Sequence, residues 1–394
     1  MGLSIAPDRT VDHALDATFR AVAPHLPAAL VRPAAFDRVL SLVERLPAAL
    51  TTYAGLECRL AGADTQVDAF LDINLDGRHI LAGRTPRAAL PDCLAERTEW
   101  QRLRDLCQAW IEPTSPLHHA LRGLWLEFDL DRAPSRVPPP SVFLRFEGGS
   151  SPHTSLTEAE KSRILTETAL PMLTGRPLAN PVKTRVRACL EALPPGARLT
   201  EAGLMLQRGS DAVRLCFTGL AERRIPAYLR RVGWEGPSES LKETLTAFSE
   251  VETTGRAARM QVGYLDIDVS ETVHPAIGLE YFFLRQLAQE LRESRWLDEL
   301  VRRGLCAPEK CAGLLEWPGH APTRLAHLER PGLLVRRTNH VKLVLPPEGP
   351  LLAKAYLCLF STTPSNEPWR PAAPLAGNAE SGTYGRPPAP SAHG

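Results

Sequence analysis

Polar and apolar residues alternate with a period of two in ten short segments of the chain, as they do in β-strands whose two faces meet different surroundings. The segments come in pairs, and the separators contain Gly, Pro, Asp or Ser, which favour tight turns. Each pair therefore predicts a β-hairpin. The predicted hairpins are 55–60 with 67–75, 123–130 with 141–147, 203–208 with 212–218, 260–269 with 276–283, and 340–345 with 351–360.

Two segments with the spacing of amphipathic helices precede each predicted hairpin. In order, they are 11–23 and 34–49, 86–95 and 100–111, 157–173 and 181–193, 221–232 and 240–251, and 284–303 and 308–315. Ser155 followed by Glu158 predicts a capping box, and Pro181 and Pro308 are placed as prolines of a first helical turn. The chain thus predicts five consecutive α-α-β-β units.

Ten antiparallel strands in sequence would leave two exposed sheet edges unless the first and last strands also paired. One face of each strand is apolar, as in Leu56, Cys58 and Leu60, and the helices of the same unit can cover it. We therefore predict an α+β fold, a ten-stranded antiparallel β-barrel surrounded by helices, with the polar strand faces lining a lumen. The alternative is an open sheet whose polar face is solvated surface.

Composition limits the classes of partner and location. The 394 residues are 44% apolar and 23% charged with a net charge of +1, which is ordinary for a globular protein and gives no sign of a nucleic-acid partner. No apolar run approaches the roughly 18–20 residues needed to span a membrane, so we expect a cytoplasmic protein with free thiols. We predict one barrel domain over 1–363 and a disordered tail rich in Pro, Gly, Ala and Ser over 364–394.

The common nucleotide-binding and hydrolase motifs are missing from the sequence. It has no phosphate-binding P-loop, dinucleotide fingerprint, His-Glu-x-x-His or nucleophile elbow. The usual kinases, dehydrogenases, zinc proteases and serine hydrolases are therefore disfavoured.

The predicted lumen face carries the candidate chemistry. Glu57 lies on the first strand, and Lys354 and Tyr356 form a Lys-x-Tyr sequence on the last. Further inward cations are Arg59, Arg145, Arg214 and Lys342. Trp125 and Tyr264 are each followed by acids at alternate positions, which indicates an aromatic, acidic wall able to hold a cation.

A ten-stranded barrel built from α-α-β-β units, with Glu57 on its first strand and a Lys-x-Tyr on its last, resembles the ABBA prenyltransferase family. The resemblance extends over about residues 10–360 and implies a lumen that binds a prenyl diphosphate beside an aromatic or peptide acceptor. It implies Glu57 as the proton acceptor, and Trp125, Tyr264, Tyr356 and the five inward cations as substrate-binding residues. It implies no cofactor, although magnesium held by Asp266 and Asp268 is an option.

The sequence also departs from that pattern. It has one Lys-x-Tyr where several are expected, the fourth hairpin provides no cation, and inward acids outnumber inward bases. Taken singly, Arg59, Arg145 and Arg214 are predicted as ion-pair partners of Glu57, Glu127 and Glu147 in preference to free anion ligands, whereas as a converging set of five cations the two interpretations are balanced. Two functions therefore remain open: prenyl transfer in natural-product biosynthesis, or a barrel that binds a peptide or cation in peptide tailoring without prenyl transfer.

Overall fold

The computed structural model of the protein describes residues 15–63, 66–85, 90–130, 137–146, 156–249, 261–283, 295–323 and 332–362. In these ranges eleven strands form one sheet. The strands are β1 (Tyr53–Arg59), β2 (Val67–Ile73), β3 (Leu121–Phe128), β4 (Ser141–Phe146), β5 (Arg198–Leu204), β6 (Val213–Thr218), β7 (Val262–Val269), β8 (Val273–Phe282), β9 (Gly319–Thr323), β10 (Gly332–Leu345) and β11 (Leu352–Thr362).

The sheet closes into a barrel of ten antiparallel strands. Strands β1 to β8 pair in sequence order, β8 pairs with β10, β10 with β11, and β11 returns to β1. The short strand β9 pairs only with the first part of β10 and lies outside the closed ring. Closure removes the exposed edges that ten open strands would leave. The predicted fold class is confirmed.

Helices precede the hairpins along the chain, as the hydrophobic pattern predicts. They are α1 (Asp16–Val22), α2 (Pro33–Val43), α3 (Gly77–Leu81), α4 (Asp92–Ala95), α5 (Thr98–Ile111), α6 (Pro116–Ala120), α7 (Glu158–Ile164), α8 (Leu170–Thr174), α9 (Asn180–Glu191), α10 (Ile225–Arg231), α11 (Ser238–Ser249), α12 (Arg295–Arg302) and α13 (Pro308–Glu316). None of the helices described is long and apolar enough to cross a membrane.

The apolar strand faces and the helices share one large hydrophobic core. Leu56, Leu124, Leu215 and Leu265 come from four strands and are fully buried in it. Because the strand period is two, the alternate residues must then point to the inside of the barrel. The core therefore fixes which side chains face the lumen.

Several predicted boundaries are wrong in detail. The strand predicted at 203–208 is β5 (Arg198–Leu204), after which the chain makes a short 3₁₀ turn at Leu206–Arg208. The helix predicted over 157–173 is divided into α7 and α8 by a π-helical turn at Leu165–Ala169.

The capping box predicted from Ser155 and Glu158 is instead formed by Thr157 and Glu160. Ser155 itself lies outside the described residues, as does the tail predicted to be disordered.

Candidate active site in the barrel lumen

Glu57 is held inside the barrel by two side chains of the neighbouring strand. Strand β11 lies beside β1 with Tyr356 opposite Glu57 and Lys354 opposite Arg59. Lys354 Nζ donates to Glu57 Oε1 at 2.5 Å, and the Tyr356 hydroxyl donates to Oε2. The Lys-x-Tyr sequence therefore binds both oxygens of one carboxylate.

This pairing sets the charge of Glu57. Burial alone would raise the pKa of the carboxyl group, but the positive charge of Lys354 and the hydrogen bonds from Lys354 and Tyr356 outweigh it and lower the pKa to about 2. Burial and the charge of Glu57 raise the pKa of Tyr356 well above its usual value. Glu57 is thus ionised near neutral pH, and Tyr356 keeps its proton as a donor.

A second buried cluster surrounds Lys342 on β10. Lys342 Nζ contacts Asp266 of β7 and lies 3.2 Å from Glu280 Oε1 of β8. Burial and the nearby charge of Asp266 raise the pKa of Glu280, whereas the charges of Lys342 and Arg214 offset burial and lower the pKa of Asp266. The pair therefore holds one proton, and it lies on Glu280.

Two arginines form further ion pairs on the lumen face. Arg214 Nε and Nη2 bind the two oxygens of Asp268 at 2.8 and 2.9 Å. Arg145 Nη1 lies 3.0 Å from Asp72 Oδ2, and its guanidinium stands 5.1 Å from the centre of the Trp125 ring. Such partly buried, charge-assisted contacts hold both side chains in fixed positions.

An aromatic cluster lines the lumen beside Glu57. The Phe70 ring lies 5.6 Å from Trp125 and 5.8 Å from Tyr356, between centroids. Tyr53 lies 5.6 Å from Trp125 and 5.8 Å from Phe360, against which it stacks. The ionised carboxylate therefore lies next to an aromatic wall that can pack against a flat ligand.

Tyr264 stands on the other side of the lumen, with its ring 4.9 Å from that of Phe282. Burial raises the pKa of the Tyr264 phenol well above its usual value, and the charge of Glu201 adds to this. Like Tyr356, it remains a neutral hydroxyl group.

Three inward carboxyl groups, those of Asp68, Glu127 and Glu201, have no cation bound to them by a hydrogen bond in the described contacts. Burial, with the charge of Glu57, raises the pKa of Glu127 to about 7. Burial also raises the pKa of Glu201 to about 7, although Trp125 Nε1 donates to this carboxyl at 3.0 Å. Near neutral pH these groups are partly protonated, so the acidic excess of the lumen is smaller than the sequence alone indicates.

The structure brings most of the predicted site residues together. Glu57, Lys354, Tyr356, Lys342 and Arg214 all lie on the lumen side of neighbouring or nearby strands. Arg59 follows Glu57 on the same face of β1. Trp125, Tyr264, Asp266 and Asp268 also face inward, as their contacts show.

The predicted ion-pair partner is wrong for Arg145, which binds Asp72 in place of Glu127. Arg214 binds Asp268, and its predicted pair with Glu147 stays a prediction. The structure describes no contact of Glu147, which lies outside the described residues.

The sequence prediction does not name several lumen residues, among them Glu201, Tyr53 and Phe70. Glu201 lies on β5, which was placed five residues too late, and Tyr53 precedes the predicted start of β1. Phe70 was within a predicted strand and alternates with Asp72, so strict period-two counting would have found it.

Whether Asp266 and Asp268 could hold magnesium depends on which side chains already bind their carboxylates. Asp266 and Asp268 are separated by one residue on β7, but Lys342 and Arg214 already occupy them as cationic partners. Among the residues described, no group of three or more His, Cys, Asp or Glu side chains is arranged to hold a metal ion. As arranged here, the two aspartates do not fit a magnesium site.

Comparison with known proteins gives structural similarity but no sequence match. No protein-family model and no curated protein sequence matches the chain. It is similar to the solved structure of 6-dimethylallyltryptophan synthase from Micromonospora olivasterospora, with 14% identity, coverage of 87% of this chain and 97% of that chain, and a TM-score of 0.48.

Two other solved structures are similar to a comparable degree. For 5-dimethylallyltryptophan synthase from Streptomyces coelicolor the identity is 15%, the coverage 88% and 97%, and the TM-score 0.45. For the prenyltransferase PriB the values are 15%, 88% and 96%, and 0.47. The assignment of the barrel fold rests on the strand pairing described above, and the resemblance to aromatic prenyltransferases is one of architecture.

Proposed function

We propose that the protein is a prenyltransferase that moves a prenyl group from an allyl diphosphate onto an aromatic or peptide acceptor inside the barrel. The observation that carries this proposal is Glu57: an ionised carboxylate, buried in the lumen, beside an aromatic wall and within a set of inward cations. The resemblance of the sequence to ABBA prenyltransferases supplies the reaction class. The cytoplasmic location and a role in natural-product biosynthesis stay predictions from the sequence.

In the proposed reaction Glu57 accepts a proton from the alkylated acceptor. The bond between the allyl carbon and the diphosphate oxygen breaks, and diphosphate leaves with the electron pair. The acceptor ring donates an electron pair to the allyl cation, which forms a carbon–carbon bond and leaves a positive charge on the ring. Glu57 stabilises this charge and removes the proton from the alkylated carbon. A carboxylate of low pKa suffices because a protonated, non-aromatic ring is a strong acid.

The aromatic side chains have a separate task in this proposal. Phe70, Trp125 and Tyr356 are neighbouring rings, and the Tyr356 hydroxyl connects them to Glu57. The faces of aromatic rings attract a cation by about 0.5–2 kcal/mol each, and the rings exclude water that would otherwise capture the allyl cation.

The diphosphate would bind at inward cations that are paired with carboxylates in the structure. Lys354, Lys342 and Arg214 are held by Glu57, Asp266 with Glu280, and Asp268, respectively. A diphosphate must therefore share or displace these carboxylates, and the proton already on Glu280 reduces the repulsion it meets. Arg59, Lys342, Lys354 and Arg214 are the cations we propose for this role.

Incubation with a panel of allyl diphosphates and aromatic acceptors, followed by mass spectrometry, tests the reaction directly. Glu57→Gln keeps the size of the side chain but removes its charge, so turnover should fall on the order of 10²–10⁴-fold. Donor binding should not weaken, because the carboxylate repels diphosphate and holds Lys354, one of the proposed diphosphate ligands.

Glu239→Gln, on the exposed part of α11, is the matched control and should keep wild-type turnover. Absence of product from every donor and acceptor pair would sink the proposal. Unchanged turnover of Glu57→Gln would show that Glu57 serves only as an ion-pair partner.

A second function is favoured by one observation. Lys354, Lys342, Arg214 and Arg145 each bind a carboxylate, which leaves Asp68, Glu127 and Glu201 as inward acids without a bound cation in the described contacts. This arrangement would suit a barrel that binds a cationic peptide in peptide tailoring. Calorimetry showing binding of a Lys-rich peptide to a protein that transfers no prenyl group would support it.

A further inference from the structure

Strand β10 contains an irregularity in its pairing with β11. Its pairing with β11 shifts between Thr338, opposite Leu357, and His340, opposite Tyr356, so that Asn339 is an extra residue. Bulges of this kind change the direction of a side chain and are frequent beside active sites. Because Asn339 is an extra residue, the alternation shifts and the side chain of His340 points into the lumen.

His340 is buried between aromatic rings. Its imidazole stacks on Tyr356 with centroids 3.9 Å apart and an interplanar angle of 22°, and the Phe282 ring lies 5.0 Å away. Tyr356 is the residue that donates a hydrogen bond to Glu57. His340 therefore lies one ring away from the proposed proton acceptor.

Neither ring nitrogen of His340 has a hydrogen-bond partner among the described residues, although the side chain is only 8% exposed. The nearest carboxyl oxygen, Glu280 Oε2, is 3.6 Å from Nε2, which is too far for a hydrogen bond. A buried polar atom without a partner costs about 1–3 kcal/mol, so such groups usually await a ligand or have a structural purpose.

The imidazole is neutral. Burial, together with the charge of Lys342, lowers the pKa of His340 to about 3, and the opposing charges of Asp266 and Glu57 are weaker. A neutral imidazole offers one N–H donor and one acceptor nitrogen. Because it carries no charge, it is a poor ligand for a diphosphate and a good one for a polar group on an aromatic molecule.

We infer that His340 is a specificity-determining residue that hydrogen-bonds a polar group of the aromatic acceptor and so decides which ring atom faces the allyl cation. This inference rests on the proposed function. Glu57 on β1 and His340 on β10, the two strands that flank Tyr356 on β11, provide two separate anchor points for a flat ligand. Two points fix the rotation of a ring within its plane, whereas one point does not.

The variant His340→Phe keeps a flat ring that can stack on Tyr356 but removes both nitrogens. Its KM for the acceptor should rise about 5- to 100-fold, the range that corresponds to one lost hydrogen bond to a buried group. Its KM for the allyl diphosphate should stay within about twofold of wild type. The ratio of alkylated isomers, resolved by chromatography and NMR, should also change.

Thr338→Val is the matched control. Thr338 belongs to the same bulge, is buried, and its hydroxyl also has no partner among the described residues. It lies opposite Leu357, which packs in the core outside the lumen. This variant should keep the acceptor KM and the isomer ratio of wild type, because it alters the bulge without altering the lumen.

Calorimetric titration of wild type, His340→Phe and Thr338→Val with indole and with 1-naphthol separates this inference from the proposed reaction. Weaker binding by His340→Phe alone supports the inference even if no prenyl transfer is found. Equal binding by all three proteins, or an unchanged acceptor KM and isomer ratio in His340→Phe, overturns it. Failure of wild type to bind either compound overturns it as well.

Discussion

At the scale of single residues, Glu57 shows how one ion pair decides a protonation state. Its exposed side-chain fraction is 11%, and burial to this degree favours the neutral carboxyl group. Lys354 and Tyr356 reverse the balance and keep the carboxylate ionised. The proposed proton acceptor is therefore ready to act only because the adjacent strand carries the Lys-x-Tyr sequence.

Replacing Lys354 by Met should make the reaction depend on pH. Without the ammonium group, burial dominates and the pKa of Glu57 rises from about 2. A base is active when ionised, so kcat/KM of Lys354→Met should fall as the pH decreases from 8 to 5. Wild type should show no loss from Glu57 in that range, because its carboxyl is ionised throughout.

Lys354→Arg is the control for this measurement, since it keeps the positive charge and should keep the wild-type profile. The shape of the profile, rather than its height, is the readout, because Lys354 is also a proposed diphosphate ligand. Identical profiles for Lys354→Met and wild type would contradict the assigned cause of the low pKa.

At the scale of strands, inward glycines let cations reach across a neighbouring strand. Lys342 on β10 pairs with Glu280 on β8 and passes Gly278 to reach Asp266 on β7. Arg145 on β4 likewise passes Gly123 on β3 to reach Asp72 on β2. In both cases the missing side chain provides the space for the cation.

Gly278→Ala should disturb the Lys342 cluster. The added Cβ would lie 2.6 Å from Lys342 Cε and 2.9 Å from Asp266 Oδ2, so both side chains must move. We expect a loss of about 1–3 kcal/mol in the free energy of unfolding, measured by urea denaturation.

Gly123→Ala is the comparison variant. Its nearest contact, Arg145 Nη2, would be at 3.0 Å, so the loss should be smaller. Equal stability of Gly278→Ala and wild type would show that Lys342 does not depend on this gap.

The same scale explains which features the sequence could predict. Period-two alternation predicts the β1–β2 and β3–β4 hairpins to within a few residues. In these strands the alternation of inward and outward side chains continues without interruption over most of their length. Strand β5 was misplaced because a bulge between Leu199 and Glu201 shifts its phase. The prediction for β10 began at His340 for the same reason, since the bulge interrupts the alternation there.

The partners of the inward side chains could not be predicted from one strand at a time. Arg145 and Lys342 reach residues two strands away, which requires the register of three strands and the position of a glycine. The sequence predicts that Arg145 and Lys342 face inward. Their ion-pair partners can be identified only when the pairing of all strands in the closed barrel is known.

At the scale of the whole molecule, the lumen contains more acids than its cations can neutralise, and protonation relieves the excess. Glu127 and Glu201 each have a pKa raised to about 7, with burial as the largest cause. Below pH 7 they are mostly neutral, which removes negative charge that would otherwise repel an anionic donor. The barrel should therefore bind an allyl diphosphate more weakly above pH 7 than below it.

The same two groups should make the stability of the protein depend on pH. A carboxyl whose pKa is raised on folding stabilises the folded state fully below its unfolded pKa, and this contribution is lost as the pH rises through the folded value. The stabilising contribution of Glu127 and Glu201 is therefore lost between about pH 4.5 and somewhat above pH 7. At pH 8.5 each group should lower the free energy of unfolding by on the order of 1–3 kcal/mol.

Glu127→Gln combined with Glu201→Gln imitates the protonated groups at every pH and keeps an acceptor for Trp125 Nε1. Urea denaturation at pH 5 should give nearly equal free energies of unfolding for this variant and wild type. At pH 8.5 the variant should be the more stable protein and should bind the allyl diphosphate more tightly, because two negative charges have left the lumen. Glu239→Gln, at an exposed position, should follow wild type throughout. A double variant whose stability falls with pH as steeply as that of wild type would mean that these two carboxyl groups are already ionised in the folded barrel.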